Sequence, residues 1–244
     1  MDSLAEHIKN GEAGQRPCLV FVICRVLLQW YNFIMTEQPQ TSEGEDDMIK
    51  NIVLDIGHVL IGFEWMDHIR ARFDEETARI VTDAIWKKDY WSELDRGVLS
   101  DEEILELFYS EAPDHRQEIK EAFDNVGECL LRCDYAIPWI EELKSKGFNV
   151  YYLSNYSEHL MRVNPSVLDF LPHMDGGVFS CYAKKIKPDP EIYRCLLEKY
   201  DLRPEECLFF DDREENVVTA RELGIQAVQF ESYEQAKAVT DGLE

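Results

Sequence analysis

Short apolar runs alternate with helix-length amphipathic segments along the chain from residue 48 onward. The runs are rich in β-branched and aromatic residues and have the length of buried strands. The pattern predicts strands at 50–56, 148–155, 176–183, 206–212 and 225–230, and helices at 139–147, 189–201 and 213–224. This alternation predicts an α/β fold of the Rossmann-like type, in which a parallel sheet carries helices on both faces.

Residues 64–133 interrupt this alternation. They carry Trp, Phe, Leu and Ile at helical spacings, contain no run that predicts a strand, and include a capping-box sequence from Ser100 to Glu103. An all-helical block between the first and second sheet strands is most simply a separate cap domain. The predicted organisation is therefore an α/β core formed by 48–63 and 134–244, with a helical cap formed by 64–133.

The first 47 residues differ from the rest of the chain. The apolar run at 18–35 is interrupted by polar residues such as Arg25 and Gln29 and spans a bilayer poorly, so no integral membrane association is expected. The polar stretch at 36–47 lacks periodicity and is typical of a disordered linker. We expect residues 1–47 to be a partly disordered extension outside the chemistry; a peripheral amphipathic helix and a weak membrane anchor are the alternatives.

The charge of the chain restricts its partners. The formal net charge is −24 over 244 residues, and a surface this acidic repels nucleic acid and anionic membranes, so neither is expected as a partner. The seven cysteines form no C-x-x-C pair, which favours reduced thiols and a cytoplasmic location over a disulfide framework or a zinc site. The sequence does not indicate an oligomeric state.

Reactive polar residues follow three of the predicted strands at the point where each strand ends. Asp55 follows "NIVL", the pair 154–155 (Ser-Asn) follows "VYYL", and the pair 211–212 (Asp-Asp) follows "CLFF", while Lys187 precedes a predicted helix. Each of these alone is more often a turn or helix-cap residue. Because the carboxyl ends of parallel strands meet at one edge of a sheet, together they predict a cleft with carboxylates for a divalent cation, an ammonium group and a hydroxyl.

Four motifs carry a resemblance to a known family. They are "VLDIGHV" (53–59), "YYLSN" (151–155), "KIKPDPEIY" (185–193) and "LFFDDREENV" (208–217), with the helical block lying between the first two. In order and placement they resemble the haloacid dehalogenase superfamily, chiefly its Mg²⁺-dependent phosphatases with a helical cap. The resemblance extends from position 48 to the end of the chain and implies that the substrate is a small phosphorylated molecule.

The resemblance implies a role for each residue that would handle phosphate. Asp55 would be the nucleophile that forms an aspartyl-phosphate. Ser154 and the backbone of Asn155 would hydrogen-bond the transferred phosphoryl oxygens, and Lys187 would neutralise charge between the phosphate and Asp55.

A Mg²⁺ site is implied in the same way. Asp212, supported by Asp211, would bind the ion together with Asp55 and the carbonyl group of Gly57. An anionic nucleophile that approaches an anionic phosphate needs such compensation, and Mg²⁺ prefers hard oxygen ligands.

The first motif departs from the family pattern at Gly57. Family members usually carry a second Asp here, two residues after the nucleophile, which acts as general acid on the leaving group and then as general base for water. Glycine moves no proton, and His58 next to it is a candidate substitute or a merely structural residue. Either the substrates have leaving groups that need little protonation, or the protein is a poor catalyst that binds phosphorylated ligands more than it hydrolyses them. An Asp-x-Gly-x-Val motif resembles the α-D-glucose-1-phosphate phosphatase branch, which fits the first option.

The cap would set substrate choice by closing over the cleft. Trp86, Tyr90, Trp91 and Arg96 are candidates to line it, although their helical spacing favours packing within the cap. A haloacid dehalogenase is disfavoured by the acid pair 211–212, and a phosphomutase by the missing acid at Gly57. A non-catalytic regulator that binds a phosphorylated ligand is the alternative from a different class.

Overall fold

The computed structural model describes residues 48–243, and the extension predicted at 1–47, with its apolar run, lies outside these residues. The strands are β1 (Asn51–Leu54), β2 (Ile61–Phe63), β3 (Leu130–Arg132), β4 (Asn149–Ser154), β5 (Gly176–Phe179), β6 (Cys207–Asp211) and β7 (Gln226–Gln229). The helices are α1 (Trp65–Arg70), α2 (Glu75–Trp86), α3 (Tyr90–Arg96), α4 (Asp101–Glu111), α5 (Arg116–Asp124), α6 (Ala136–Ser145), α7 (Glu158–Val163), α8 (Ser180–Ala183), α9 (Pro190–Tyr200), α10 (Glu214–Glu222) and α11 (Tyr233–Asp241). No helix of the described part has both the length and the apolar character that a membrane crossing requires.

Five strands form one parallel sheet in the order β5-β4-β1-β6-β7. β1 is central and buried on both faces, as its uninterrupted apolar sequence requires. Successive side chains of a strand point to opposite faces, so Val53 packs with residues of α9 and α10 while Ile52 and Leu54 pack on the other side with Trp139 of α6. The predicted α/β fold with helices on both faces is confirmed.

The block from α1 to α5 shares its apolar core with one face of the sheet. Phe108 of α4 and Phe123 of α5 belong to the same continuous cluster of buried side chains as Leu54 of β1. The predicted capping box is confirmed at the start of α4, where the Ser100 hydroxyl accepts from the Glu103 backbone N–H and the Glu103 carboxylate accepts from the Ser100 N–H. We refer to residues 64–124 below as the helical block.

Two sequence-based predictions of strands were wrong. The interruption at 64–133 was expected to contain no strand, yet β3 pairs antiparallel with β2 at its end; a three-residue strand is too short to produce a recognisable pattern. The predicted strand at 176–183 is a strand only as far as Phe179. At Ser180 the chain turns into α8, because the Ser180 hydroxyl accepts from the Tyr156 N–H at 2.9 Å and donates to the Asp95 carbonyl at 2.6 Å.

Candidate active site at the carboxyl edge of the sheet

Three neighbouring strands bring their polar ends together. β1 lies between β4 and β6, and all three run parallel, so Asp55, Ser154 and Asp211 meet at one edge of the sheet. The backbone N–H of Asp55 continues the ladder by donating to the carbonyl of Phe210 at 2.9 Å. The three side chains are buried, which is unusual for carboxylates and a hydroxyl unless they are paired.

Lys187 reaches this edge from the segment before α9. Its ammonium is 2.8 Å from Oδ1 of Asp55 and 2.6 Å from Oδ2 of Asp211, and the side chain is almost fully buried. Burial lowers the pKa of the Lys187 ammonium, but the charges of Asp211 and Asp55 outweigh burial and raise it. The lysine is therefore held in its charged form between two carboxylates.

The Asp211 carboxylate is fully engaged by the protein. Oδ2 accepts from Lys187, and Oδ1 accepts from the Arg213 N–H at 2.9 Å and from the side-chain amide of Asn216 at 2.8 Å. Asn216 is itself buried, in the first turns of α10. Asp211 thus fixes Lys187 in place, and Asn216, which sequence reasoning missed, fixes Asp211.

Asp55, Asp211 and Asp212 form a cluster of acids in which one oxygen of each carboxylate lies within 4.8 Å of the others. Burial raises the pKa of Asp55 to about 7, although the Lys187 charge and hydrogen bonds from Lys187 and Ser154 oppose the rise. Burial and the charge of Asp211 also raise the pKa of Asp212. Oxygen ligands that are costly to ionise together suit a hard divalent cation such as Mg²⁺, so the donor set fits the expected ion.

Asn155 supports the site through its side chain. Its amide donates to the Lys187 carbonyl at 3.0 Å and accepts from the Lys187 N–H at 2.8 Å, which ties the end of β4 to the lysine segment. The Ser154 hydroxyl next to it is close enough to Asp55 to favour the ionised carboxylate. The structure thus brings together all the residues that the sequence analysis selected at the strand ends.

A cavity of about 430 Å³ opens above these residues. Asp55, Asn155, Lys187 and Asp212 contribute polar groups on the sheet side, and the helical block contributes apolar surface. Two of the four side chains proposed to line the cleft, Trp86 and Trp91, do so. The other two lie elsewhere, because the Tyr90 hydroxyl bonds Glu111 and the Arg96 guanidinium bonds Glu93.

Gly57 and His58 both line the cavity. His58 is exposed and has a positive φ of 56°, in the turn that follows Asp55. A Cβ atom built on Gly57 meets no heavy atom within 4 Å, so a side chain at this position is sterically permitted.

Asp95 is a lining residue that the sequence analysis overlooked. It lies four residues after Trp91 on α3, so the two side chains share one face of the helix. That spacing was the available signal, but it only becomes informative once Trp91 is known to face the cavity.

The family model of haloacid dehalogenase-like hydrolases matches residues 49–224, which is more than half of the chain. The chain belongs to this hydrolase family. The prediction of the superfamily, and of a hydrolytic enzyme, is thereby confirmed. The match contains all of the strand-end residues described above.

Two sequence relatives of this hydrolase are named for action on phosphorylated compounds. Flavin mononucleotide hydrolase 1 of Arabidopsis thaliana, whose name assigns it to the chloroplast, is 28% identical over 159 residues, covering 62% of this chain and 61% of the relative. The chain therefore spans less than two thirds of that relative's length. The sesquiterpene phosphatase astK of Aspergillus oryzae is 26% identical over 179 residues, covering 72% of this chain and 87% of the relative.

A solved structure with the same fold comes from Bacteroides thetaiotaomicron. The HAD family enzyme BT-2542, in complex with magnesium and inorganic phosphate, superposes with a TM-score of 0.62 at 20% identity. The superposition covers 77% of this hydrolase and 98% of the bacterial chain. At this identity the likeness establishes the fold.

Proposed function

We propose that this protein is a Mg²⁺-dependent phosphatase that hydrolyses a small phosphorylated metabolite through an aspartyl-phosphate on Asp55. The observation that carries the proposal is the buried Asp55 carboxylate at the end of β1, 2.8 Å from the Lys187 ammonium and open to a cavity of about 430 Å³. A structural ion pair has no need of a cavity, whereas a nucleophile must reach its substrate.

The residues of the sheet edge divide the work of phosphoryl transfer. Asp55 attacks phosphorus, and the Lys187 ammonium beside it offsets the repulsion between carboxylate and phosphate. The Ser154 hydroxyl and the Asn155 backbone hydrogen-bond the transferred oxygens. Asp211 keeps the ammonium in place, since both of its oxygens are already bonded to protein groups.

Mg²⁺ would be held by the carboxylates of Asp55 and Asp212 and by the Gly57 carbonyl, with Asp211 in support. This assignment is supported by the three clustered acids, by the Asp212 carboxylate making no ion pair with another residue of the described part, and by the magnesium in the Bacteroides enzyme. When bound, the ion supplies positive charge that lowers the cost of bringing two anions together.

The helical block acts as a cap in this proposal. The domain division is the one predicted from sequence, with an α/β core of 48–63 and 134–244 and a cap of 64–133. The indole rings of Trp86 and Trp91 on the cavity wall support a substrate with an apolar or planar face, such as a sugar ring. Glucose 1-phosphate is the first candidate, because the Asp-x-Gly-x-Val motif resembles the α-D-glucose-1-phosphate phosphatase branch. The relatives add flavin mononucleotide and a sesquiterpene phosphate as substrates to test. We place the enzyme in the cytoplasm.

The test is phosphate release by the full chain with MgCl₂ or with EDTA. The panel is glucose 1-phosphate, glucose 6-phosphate, acetyl phosphate, flavin mononucleotide, a farnesyl phosphate and p-nitrophenyl phosphate. We expect turnover that requires Mg²⁺ and is lost in Asp55→Asn, a change of nearly equal size that removes the nucleophile. Exposed Asp83→Asn is the control for loss of one negative charge.

The regulator alternative predicts a different outcome. Phosphorylated ligands would bind in the presence of Mg²⁺, as measured by calorimetry, but no member of the panel would be hydrolysed. Turnover that persists in Asp55→Asn would contradict the aspartyl-phosphate route.

A further inference from the structure

Asp95 is a half-buried acid, and one of its carboxyl oxygens is buried without a bond to any protein group of the described residues. Its Oδ1 is inaccessible to water and has no hydrogen-bond partner, and no ion pair to its side chain occurs within residues 48–243. An unpartnered buried carboxyl oxygen costs stability, so a role in the chemistry of the cavity explains Asp95 better than a structural role does. The residue lines the same cavity as Asp55.

The backbone around Asp95 is fixed to the α/β part of the protein. The Asp95 carbonyl accepts from the Ser180 hydroxyl at 2.6 Å, and the carbonyl of Gly97 accepts from the Lys184 ammonium at 2.5 Å. Gly97 has φ of 68° and sits so close to α8 that a Cβ atom would lie 2.8 Å from the Cys181 carbonyl oxygen. The carboxyl therefore has a defined position relative to the sheet edge.

The charges that surround Asp95 favour its protonated form. Burial makes the largest contribution to raising the pKa of Asp95, the negative charge of Asp55 the next largest, and Asp89 a smaller one. Lys187 and Arg213 oppose the rise, and the net pKa is about 8. A pKa of about 8 favours the protonated carboxyl at neutral pH, unlike the pKa of an ordinary aspartate, and the Asp55 charge contributes to this rise.

In-line attack on phosphorus places the leaving oxygen on the side opposite the nucleophile. Asp55 attacks from the sheet edge, so the leaving group points away from it into the cavity, whose lining includes Asp95 of the helical block. We infer that Asp95 is the general acid of this phosphatase and supplies the function that Gly57 lacks. The inference rests on the proposed function and identifies a catalytic residue for it.

The proton balance closes over two steps. In the first, an Asp55 oxygen bonds to phosphorus, the bond from phosphorus to the leaving oxygen breaks, and the Asp95 proton moves to that oxygen, which leaves as an alcohol. In the second step, the oxygen of a water molecule attacks phosphorus while the Asp95 carboxylate takes a proton from that water. The bond between phosphorus and the Asp55 oxygen breaks, and phosphate departs. Asp95 ends protonated and Asp55 ionised, as at the start.

The decisive measurement is the dependence of kcat/KM on the leaving group. We expect Asp95→Asn to lower kcat/KM for phenyl phosphate and for an alkyl phosphate by about a hundredfold or more, because an unprotonated phenoxide or alkoxide leaves slowly. For 2,4-dinitrophenyl phosphate, whose leaving group needs no proton, the loss should be less than about tenfold. Asp83→Asn removes one exposed acid of the helical block outside this cavity and should leave the leaving-group dependence as in the wild type.

A second readout is thermal stability. Asparagine has nearly the shape of aspartate and is never charged, so Asp95→Asn should melt no lower than the wild type. Equal losses of kcat/KM for all three substrates, or no loss, would overturn the inference. The inference would also be overturned if the leaving-group-dependent loss of kcat/KM appeared in His58→Gln and not in Asp95→Asn.

The open space at Gly57 permits a rescue experiment. In the double variant Gly57→Asp with Asp95→Asn, an acid returns to the position where the family usually has one, and activity on phenyl phosphate should rise above that of Asp95→Asn alone. If the wild type hydrolyses no phosphate ester in a Mg²⁺- and Asp55-dependent manner, the proposed function fails and this inference fails with it. If the wild type is active and Asp95→Asn matches it on every substrate, only the inference fails.

Discussion

At the scale of single residues, Lys187 determines whether the site can hold its charges. The ammonium lies between two buried carboxylates, each within 2.8 Å, and is 2% exposed. Burying any of these groups alone would be costly, so the three depend on one another. In the proposed function the same residue contributes to both stability and catalysis, so a substitution should change both.

Lys187→Met should cost about 3–5 kcal/mol of unfolding free energy, because it leaves two neighbouring carboxylates buried without a cation. It should also abolish Mg²⁺-dependent turnover. Urea unfolding in EDTA measures the first effect. Lys185→Met removes a partly exposed ammonium two residues away and should change stability by less than about 0.5 kcal/mol. Similar unfolding free energies for the two variants would show that Lys187 is not structurally paired.

At the scale of elements, α3 and α4 are joined to the α/β part by contacts that the sequence did not reveal. Asp101, the first residue of α4, accepts from His159 at 2.8 Å and from Arg162 at 2.5 Å, both on α7. Burial raises the pKa of Asp101, yet the hydrogen bonds and charges of His159 and Arg162 outweigh it and hold the pKa below its ordinary value.

Asp101→Asn should destabilise the protein at pH 7 by about 1 kcal/mol, a value limited by the partial exposure of the pair. Because the folded-state pKa is lowered, this stabilisation is present above the ordinary pKa of aspartate and is lost as the pH falls through the lowered value. The difference between variant and wild type should therefore shrink as the pH drops below about 4. Asp83→Asn is the control in urea unfolding at each pH, since Asp83 pairs with Arg79 of its own helix α2.

Gly97→Ala should reduce stability more than Gly147→Ala. Both glycines have positive φ, 68° and 94°, and share the backbone penalty of about 1 kcal/mol. Only at Gly97 does the added methyl group meet another element, the Cys181 backbone of α8. Gly97→Ala should also lower kcat by displacing Asp95, whereas Gly147→Ala should not. Equal melting temperatures for the two variants would contradict the close approach of α3 and α8.

At the scale of the whole molecule, acidity governs the response to ions. A formal charge of −24 opposes compaction through self-repulsion, and the acid cluster concentrates that repulsion at one place. Salt screens the first effect, while a bound divalent cation would relieve the second.

The melting temperature should rise with NaCl, and should rise further with MgCl₂ at equal ionic strength. The additional rise reports specific binding at the sheet edge. In Asp212→Asn the NaCl response should remain and the Mg²⁺ increment should disappear, as followed by thermal melts in both salts. An unchanged increment in this variant would place the stabilising ion elsewhere.

The sequence was sufficient to predict the features that depend on the pattern of neighbouring residues along the chain. β1, β4 and β6 are buried runs that end in polar residues, so the meeting of Asp55, Ser154 and Asp211 at one edge followed from the rules of parallel sheets. β3 and the position of Asp95 did not follow, since both depend on which segments meet in three dimensions. Three residues of β3 carry too little pattern, and an exposed-looking acid on a helix has no signature until its neighbours are known.

The two ends of α3 have different freedom to vary over evolutionary time. Its carboxyl-terminal end is locked by Ser180, Lys184 and the close approach of Gly97, while at its beginning the side chains of Asp89 and Ser92 line the cavity and hydrogen-bond each other. Lineages of this enzyme are thus free to exchange side chains at the beginning of the helix and acquire new substrates while the proton donor stays in register with the nucleophile. A screen for altered substrate range should accordingly diversify the first turn of α3 and keep the last.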